Sequence, residues 1–269
     1  MTTTTSNVTT RSPLVSAHAN GWRGGLGNLM RKEFGQWWTT RLWWIQVLIW
    51  VVMLNGITTV IMLDSSGMTP QALFDEAVQT FLLVAAMAIG IGVVLTTQGS
   101  IVGEKELGTA AWVMSKPASR ASFILAKLAA HVVGFAITAL LIPAIVFAVE
   151  ARLLMEVPLS YGPFAIALSV LALGVLFYVA LTLALGAAFK SRGPVAGIGI
   201  ALILVGQFFK GMLPLSIVVA TPWLLGDVAS SFVIDVQPDF NRLTPILATS
   251  VGALLLVALA IWRFHREEF

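Results

Sequence analysis

A chain of 269 residues that is 58% hydrophobic and only 11% charged, with a mean hydropathy of +0.90, has more apolar surface than a soluble core of this size buries, so it reads as a polytopic membrane protein. Its net charge of +3, from 16 basic and 13 acidic residues, comes from basic residues set singly between apolar runs, which argues against nucleic acid as a partner. The absence of cysteine excludes disulfides, thiolate zinc sites, iron–sulfur clusters and thiol catalysis.

Residues 1–25 are rich in Thr, Ser and Gly, carry Arg11 and Arg23 as their only charges, and are expected to form a disordered cytosolic tail. They lack the apolar core of about 7 to 15 residues that a secretory signal needs. Asn7-Val8-Thr9 spells a glycosylation sequon, which the expected cytosolic side makes a chance match. Over residues 26–41 the pattern becomes helical. Leu29, Met30, Phe34, Trp37 and Trp38 fall on one side, and Arg31, Lys32, Gln36 and Thr39 on the other; only Glu33 sits awkwardly at the apolar edge. A basic amphipathic helix ending in tryptophans belongs in the membrane interface. The alternative is the frayed start of the first span, and Arg41, the last cation before the hydrocarbon, favours the interfacial reading.

A hydrocarbon core of about 30 Å needs roughly 20 helical residues. Trp43 to Leu63, Val78 to Thr97, Leu128 to Val149, Phe164 to Ala188, Pro194 to Phe209 and Leu243 to Trp262 meet that length in whole or part. Met212 to Gly226 is apolar but short and broken by Pro214 and Pro222, so it reads as a re-entrant or interfacial segment between the fifth and sixth spans, with a seventh span as the rival. The expected fold is therefore all-α, with six transmembrane helices. If the N-terminus is cytosolic, only Arg152, Lys210 and Arg242 of the 16 basic residues fall outside, a strong positive-inside bias that also disfavours the seventh span. Both termini are then cytosolic, and the chain is multi-pass in the cell inner (plasma) membrane.

No ionisable residue sits in the middle third of any expected span, which counts against an ion-coupled transporter. His131 is expected to be a hydrogen-bonded interfacial histidine and Asn55 to bond across helices, with a substrate contact as the minor alternative. HExxH, GxSxG and Walker A motifs are absent, as is a pair of midplane aspartates, so neither peptidase chemistry nor nucleotide hydrolysis has a place in this chain.

The longest charged interruption, residues 103–127, reads GEKELGTAAWVMSKPASRASFILAK. Gly108 is expected to break the descending helix, Thr109 to cap a short helix through Met114, Pro117 to end that helix, and Ser119 to cap the third span. Glu104, then Gly108-Thr109, the short helix, Pro117-Ala118-Ser119-Arg120 and the later Lys127 together resemble the cytosolic loop of the type 2 ABC export permeases (type V fold), where E-x-x-x-G-T, a short helix, P-x-S-R and a Lys follow in that order. The resemblance covers most of the chain after residue 25: the amphipathic "elbow" helix, a permease domain at 42–269 with six spans, the broken excursion after the fifth, and the basic-aromatic end at Trp262 to Arg266. The tail departs from that plan by its length.

The resemblance implies a permease subunit that is not itself an enzyme, exports a substrate and docks two copies of a separate ABC ATPase, which holds the ATP and Mg; this chain needs no cofactor. It also implies a second permease copy, the same chain or a close relative, and Gly90-Ile91-Gly92 and Gly193 to Gly199 offer small-residue faces for close helix contact. The residues carried over to ATPase-subunit coupling are Glu104, Gly108, Thr109, Pro117 and Arg120; local reasoning adds Glu106 as a neighbouring charge and Trp112 as an exposed aromatic anchor. The bland alternative for Glu104, Lys105 and Glu106 is a solvated turn. Two other functions stay open: an ABC-linked scaffold for maturing an extracytoplasmic enzyme, and a stand-alone channel.

Overall fold

The computed structural model describes residues 23–63, 67–115, 118–234 and 236–267. Most of the expected tail, including Asn7, and Pro117 of the loop lie outside them. Among the described residues the fold is all helical, and six helices or joined pairs are long and apolar enough to cross a membrane. In chain order the α-helices are α1 (Leu26–Thr39), α2 (Leu42–Leu63), α3 (Pro70–Thr97), α4 (Gly99–Glu106), α5 (Thr109–Met114), α6 (Arg120–Phe135), α7 (Ile142–Leu154), α8 (Tyr161–Ala188), α9 (Arg192–Phe209), α10 (Leu215–Val218), α11 (Leu225–Val233) and α12 (Leu243–His265).

The six spans lie where expected, but several run further. α3 and α4 join at Gln98, whose N–H still reaches the Val94 carbonyl, so Pro70–Glu106 is one 37-residue rod. At 1.5 Å per residue it is about 55 Å long, well beyond the roughly 30 Å hydrocarbon core, so the rod continues past the hydrocarbon thickness, with α4 still packed against α8. α6 and α7 are joined by a π-helical segment, Ala136–Leu141, and the Ile142 N–H bonds to the Ile137 carbonyl five residues back. Pro143 follows immediately; a proline there has no N–H to give, and the widened turn accommodates the gap without breaking the span.

α8 is the axis of the bundle: 50% of its most apolar stretch is buried, against 22% for α9 and α12, which therefore present most of their surface outward. α12, α11, α3 and α6 all pack on it. Phe81, Phe147 and Phe164 meet between α3, α7 and α8 with centroids 4.4 to 6.1 Å apart. After α9, the apolar excursion folds back: a Cβ on Gly226 would stand 3.0 Å from Leu83 and 3.1 Å from Ala86, some 20 Å along α3 by helical rise, so the segment re-enters the bundle and no seventh span forms. Lys210 bonds Asp227 at 2.5 Å, and Arg242 donates to the carbonyls of Ser231 and Val236, tying the two ends of the excursion down.

Two expectations need correction. Asn55 is 2% exposed, yet neither Nδ2 nor Oδ1 has a partner among the described residues, so the expected cross-helix bond is not made; only its backbone carbonyl is engaged, by Thr58 and Thr59. The Gly90-Ile91-Gly92 face is used inside the chain, because Gly90 receives Tyr178 and Gly92 receives the Trp50 ring. Gly193 and Gly197 meet nothing within 4 Å and stay open on α9.

Gly134 on α6 is a similar seat, for the Trp37 ring of α1: a Cβ there would lie 2.1 Å from the indole. Gly134→Ala is expected to lower the unfolding midpoint in detergent by an overpacking cost of about 1–3 kcal/mol. Gly56→Ala, at a site with nothing within 4 Å, should leave it unchanged or raised.

Candidate functional site

The chain leaves α4 through Gly108, whose φ of +67° is the left-handed conformation that favours glycine. Its N–H donates to the Lys105 carbonyl at 3.1 Å, as a glycine just past a helix end does, and its own carbonyl accepts the Trp112 N–H at 3.2 Å, starting α5. Thr109 is thus the first residue of α5 and not its cap. Its hydroxyl donates backward to the Glu104 carbonyl at 3.2 Å, closing α4 where it was expected to open α5. Ser119 behaves as expected, its Oγ accepting the Ser122 N–H at 2.9 Å at the start of α6. α5 buries Ala110 and Val113, while Trp112 on α5 and Leu107 at the end of α4 are 65% and 78% exposed.

The charged residues of this loop are spread over different helices. Glu104 turns inward: Oε1 accepts from Lys127 of α6 at 2.6 Å and from Lys32 of α1 at 2.8 Å. Lys127 also pairs with Glu33 of α1 at 3.0 Å, and Lys32 lies 3.4 Å from the same carboxylate. The side chains of Lys127, Glu33 and Glu104 are 2%, 6% and 14% exposed and that of Lys32 is 44% exposed, so two carboxylates and one buried ammonium, with a second ammonium at the rim, join three helices. Burial alone lowers the pKa of Lys32, but its bond to Glu104 and the charges of Glu33 and Glu104 more than reverse this and raise it. Its contribution to stability is therefore complete below the ordinary value of 10.5 and lost only as the pH rises through the higher folded value, so it is no switch at neutral pH.

Lys105 points elsewhere, donating to the Ala187 carbonyl at the end of α8 at 3.0 Å and pairing with Glu267, just past α12, at 3.1 Å. Glu106 remains exposed, 3.5 Å from Arg192 at the start of α9. Arg120 donates from Nη1 to the Phe264 carbonyl at 3.2 Å and to that of His265, placing a cation on the carbonyl end of α12. Phe123 stacks on Phe264 beside it, with centroids 4.8 Å apart. The solvated-turn alternative therefore fits Glu106 but not Glu104 or Lys105. His131 is hydrogen-bonded as expected, Nε2 lying 3.1 Å from Ser100 Oγ.

Of the sequence-derived site residues, the structure gathers Glu104, Glu106, Gly108, Thr109 and Trp112 at one turn, and places Arg120 a helix away against α12. Glu33 and Lys32 complete the same ionic unit, and their signal in the sequence is a carboxylate at the apolar edge of α1 that needs a cation. Among the described residues no group of three or more acidic or histidine side chains is placed to hold a metal.

The sequence profile of the ABC-2 family transporter proteins matches residues 27–269. A relative in Bacillus subtilis (strain 168), described as the uncharacterized transmembrane protein YxlG, is 26% identical over 259 residues, which cover 89% of this chain and 97% of the relative.

Lys127→Met would leave two buried carboxylates short of their cation, and unfolding in denaturant should show a loss of about 3–5 kcal/mol. A double-mutant cycle with Glu33→Gln should return a coupling energy of about 1 kcal/mol or more.

Proposed function

Because the chain belongs to the ABC-2 transporter family, we propose that it is the export permease of an ABC transporter, coupled through the Gly108 turn and α5 to a separate ATPase. The family makes it a membrane component of such a transporter and not itself the catalyst. We infer further that it works in the export direction, engages two ATPase copies and pairs with a second permease. ATP and Mg then belong to the partner, and the open Gly193–Gly197 face of α9 is a candidate surface for the second permease copy.

The observation that carries the coupling role is the loop's division of labour. One side of the turn presents Leu107 and Trp112 outward, and the other side ties Glu104, Lys105 and Arg120 to α1, α6, α8 and α12. A partner that seats Trp112 in a groove and moves would push on a rigid junction connected to most of the bundle, which is what transmission of a domain closure requires. The side bearing this loop also collects Arg31, Lys32, Arg41, Lys190, Arg192, Arg263 and Arg266, while Arg152, Lys210 and Arg242 lie at the other end. That asymmetry supports a cytosolic loop with α1 in the membrane interface.

The purified chain alone should hydrolyse no ATP. With its ATPase, Trp112→Ala should weaken docking by about 2 kcal/mol, roughly 30-fold, and Gly108→Val should reduce both docking and stimulated turnover through strain at positive φ. Both variants should still insert in the membrane. If both co-purify with the ATPase and couple like the wild type, the coupling role is wrong.

A further inference from the structure

At the end of the bundle opposite the loop, α7 and α8 do not close on each other. Phe147 and Phe164, stacked with centroids 5.7 Å apart, stand between them, and beside this stack lies a groove of about 390 Å³. Ala144, Ala148 and Phe164 make its floor, while Leu141, Ile145 and Val149 of α7 stand half exposed along one lip. Alanines one turn apart on the same face are what make it concave. Its walls are apolar except at the mouth, which Arg152 of α7 and Tyr161, the first residue of α8, line together. From Leu141 to Arg152 the groove runs about 16 Å by helical rise, roughly half of the 30 Å hydrocarbon core, so it is one leaflet deep. Spread over that length, its volume is a channel about 5 Å across, too narrow for a helix of about 10–12 Å with its side chains and wide enough for one alkyl chain.

The mouth also carries an unused cation. Of the three basic residues at this end, Lys210 pairs with Asp227, and Arg242 donates to the carbonyls of Ser231 and Val236. Among the described residues Arg152 has neither an ion pair nor a hydrogen bond. Its place in the last turn of α7 suits the helix dipole, which explains why a cation is tolerated there but leaves its N–H donors unspent. The neighbouring carboxylates do not answer it: Glu150 turns to Thr59 of α2, and Glu156 lies beyond the helix end and makes no ion pair with it. What remains at the mouth is a guanidinium and an exposed phenol, at the depth where tyrosines accompany headgroups.

We propose that this groove holds one acyl chain of an anionic phospholipid in the leaflet opposite the loop, with the phosphate on Arg152 and the Tyr161 hydroxyl. A chain one leaflet long that fills the groove brings its phosphate to the groove's mouth, and a guanidinium fork is the apt partner for phosphate oxygens. A headgroup with its own ammonium gains less, because no carboxylate is paired to the site to receive that charge. The assignment rests on the chain spanning the membrane and not on transport.

The test uses the full chain, delipidated in detergent and titrated with phosphatidylglycerol or phosphatidylcholine of the same acyl chains, with retention followed by native mass spectrometry. Phosphatidylglycerol should be held about fivefold more tightly. Arg152→Gln should abolish that preference, and Ala148→Phe, which fills the groove from its floor, should weaken both lipids about tenfold. Arg152 is exposed, so its variant keeps the test decisive if the larger ring disturbs folding. Equal retention of the two lipids by the wild type, or an unchanged preference in Arg152→Gln, overturns the assignment. So does binding of free glycerophosphoglycerol as tightly as the lipid, since the groove would then contribute nothing. Efficient disulfide formation between two copies of an Ile145→Cys variant, whose thiol is the chain's only one, overturns it as well, because a second copy would then cover the groove.

Discussion

The ammonium of Lys127 governs the end of the bundle that carries the loop. An ion this deeply buried costs several kcal/mol in lost hydration, and it is tolerable only where carboxylates come close from well-defined directions. Here they come from two different helices, Glu33 on α1 and Glu104 on α4, so satisfying one charge fixes the mutual position of three helices. α1 also packs on α6 through an apolar face of its own, with Leu26, Leu29, Met30 and the Trp37 ring in its glycine seat. The position of Glu104 in turn sets the last turn of α4, and so the direction in which Gly108 releases α5.

Three consecutive residues, Glu104, Lys105 and Glu106, therefore act as spokes. Side chains 100° apart on a helix project toward different neighbours, and near a helix end no hydrocarbon forbids them charge. Each meets a group that wants it: two ammonium groups, the carbonyl end of α8, and a guanidinium. Arg120 does the same for α12. The ends of the helices are thus fastened by electrostatics where apolar packing gives out, while Phe81, Phe147 and Phe164 hold the interior.

Much of this was legible from residues alone, and the failures have physical causes. Six spans are readable because apolar runs report the thickness of the hydrocarbon; their ends are not, since Pro70–Glu106 continues as helix well past any membrane boundary. Gly108 is readable because few residues accept a positive φ. Thr109 is not, because its hydroxyl can face the amides ahead or the carbonyl behind, and only the backbone path decides. Glu33 stood out as a misfit, yet its partner lies 94 residues away and no local pattern names it. The excursion after α9 is recognisable from Pro214 and Pro222, whereas the Asn55 side chain, without a partner among the described residues, defeats a rule that buried amides find partners.

The π segment at Ala136–Leu141 has a consequence for the phase of the third span. A wide turn holds one residue more than an α turn, so every side chain beyond it is rotated by about 100° relative to an uninterrupted helix. Upstream, the span must aim Lys127 and His131 at α1 and α4; downstream, it must aim Phe147 at Phe81 and Phe164. One unbroken helix has a single phase and cannot be tuned for both partners independently. The extra residue lets the charged half and the aromatic half of one rod keep separate registers, so loss of a single residue there would rewind the turn and carry Phe147 out of its stack while the ionic end stayed where it is.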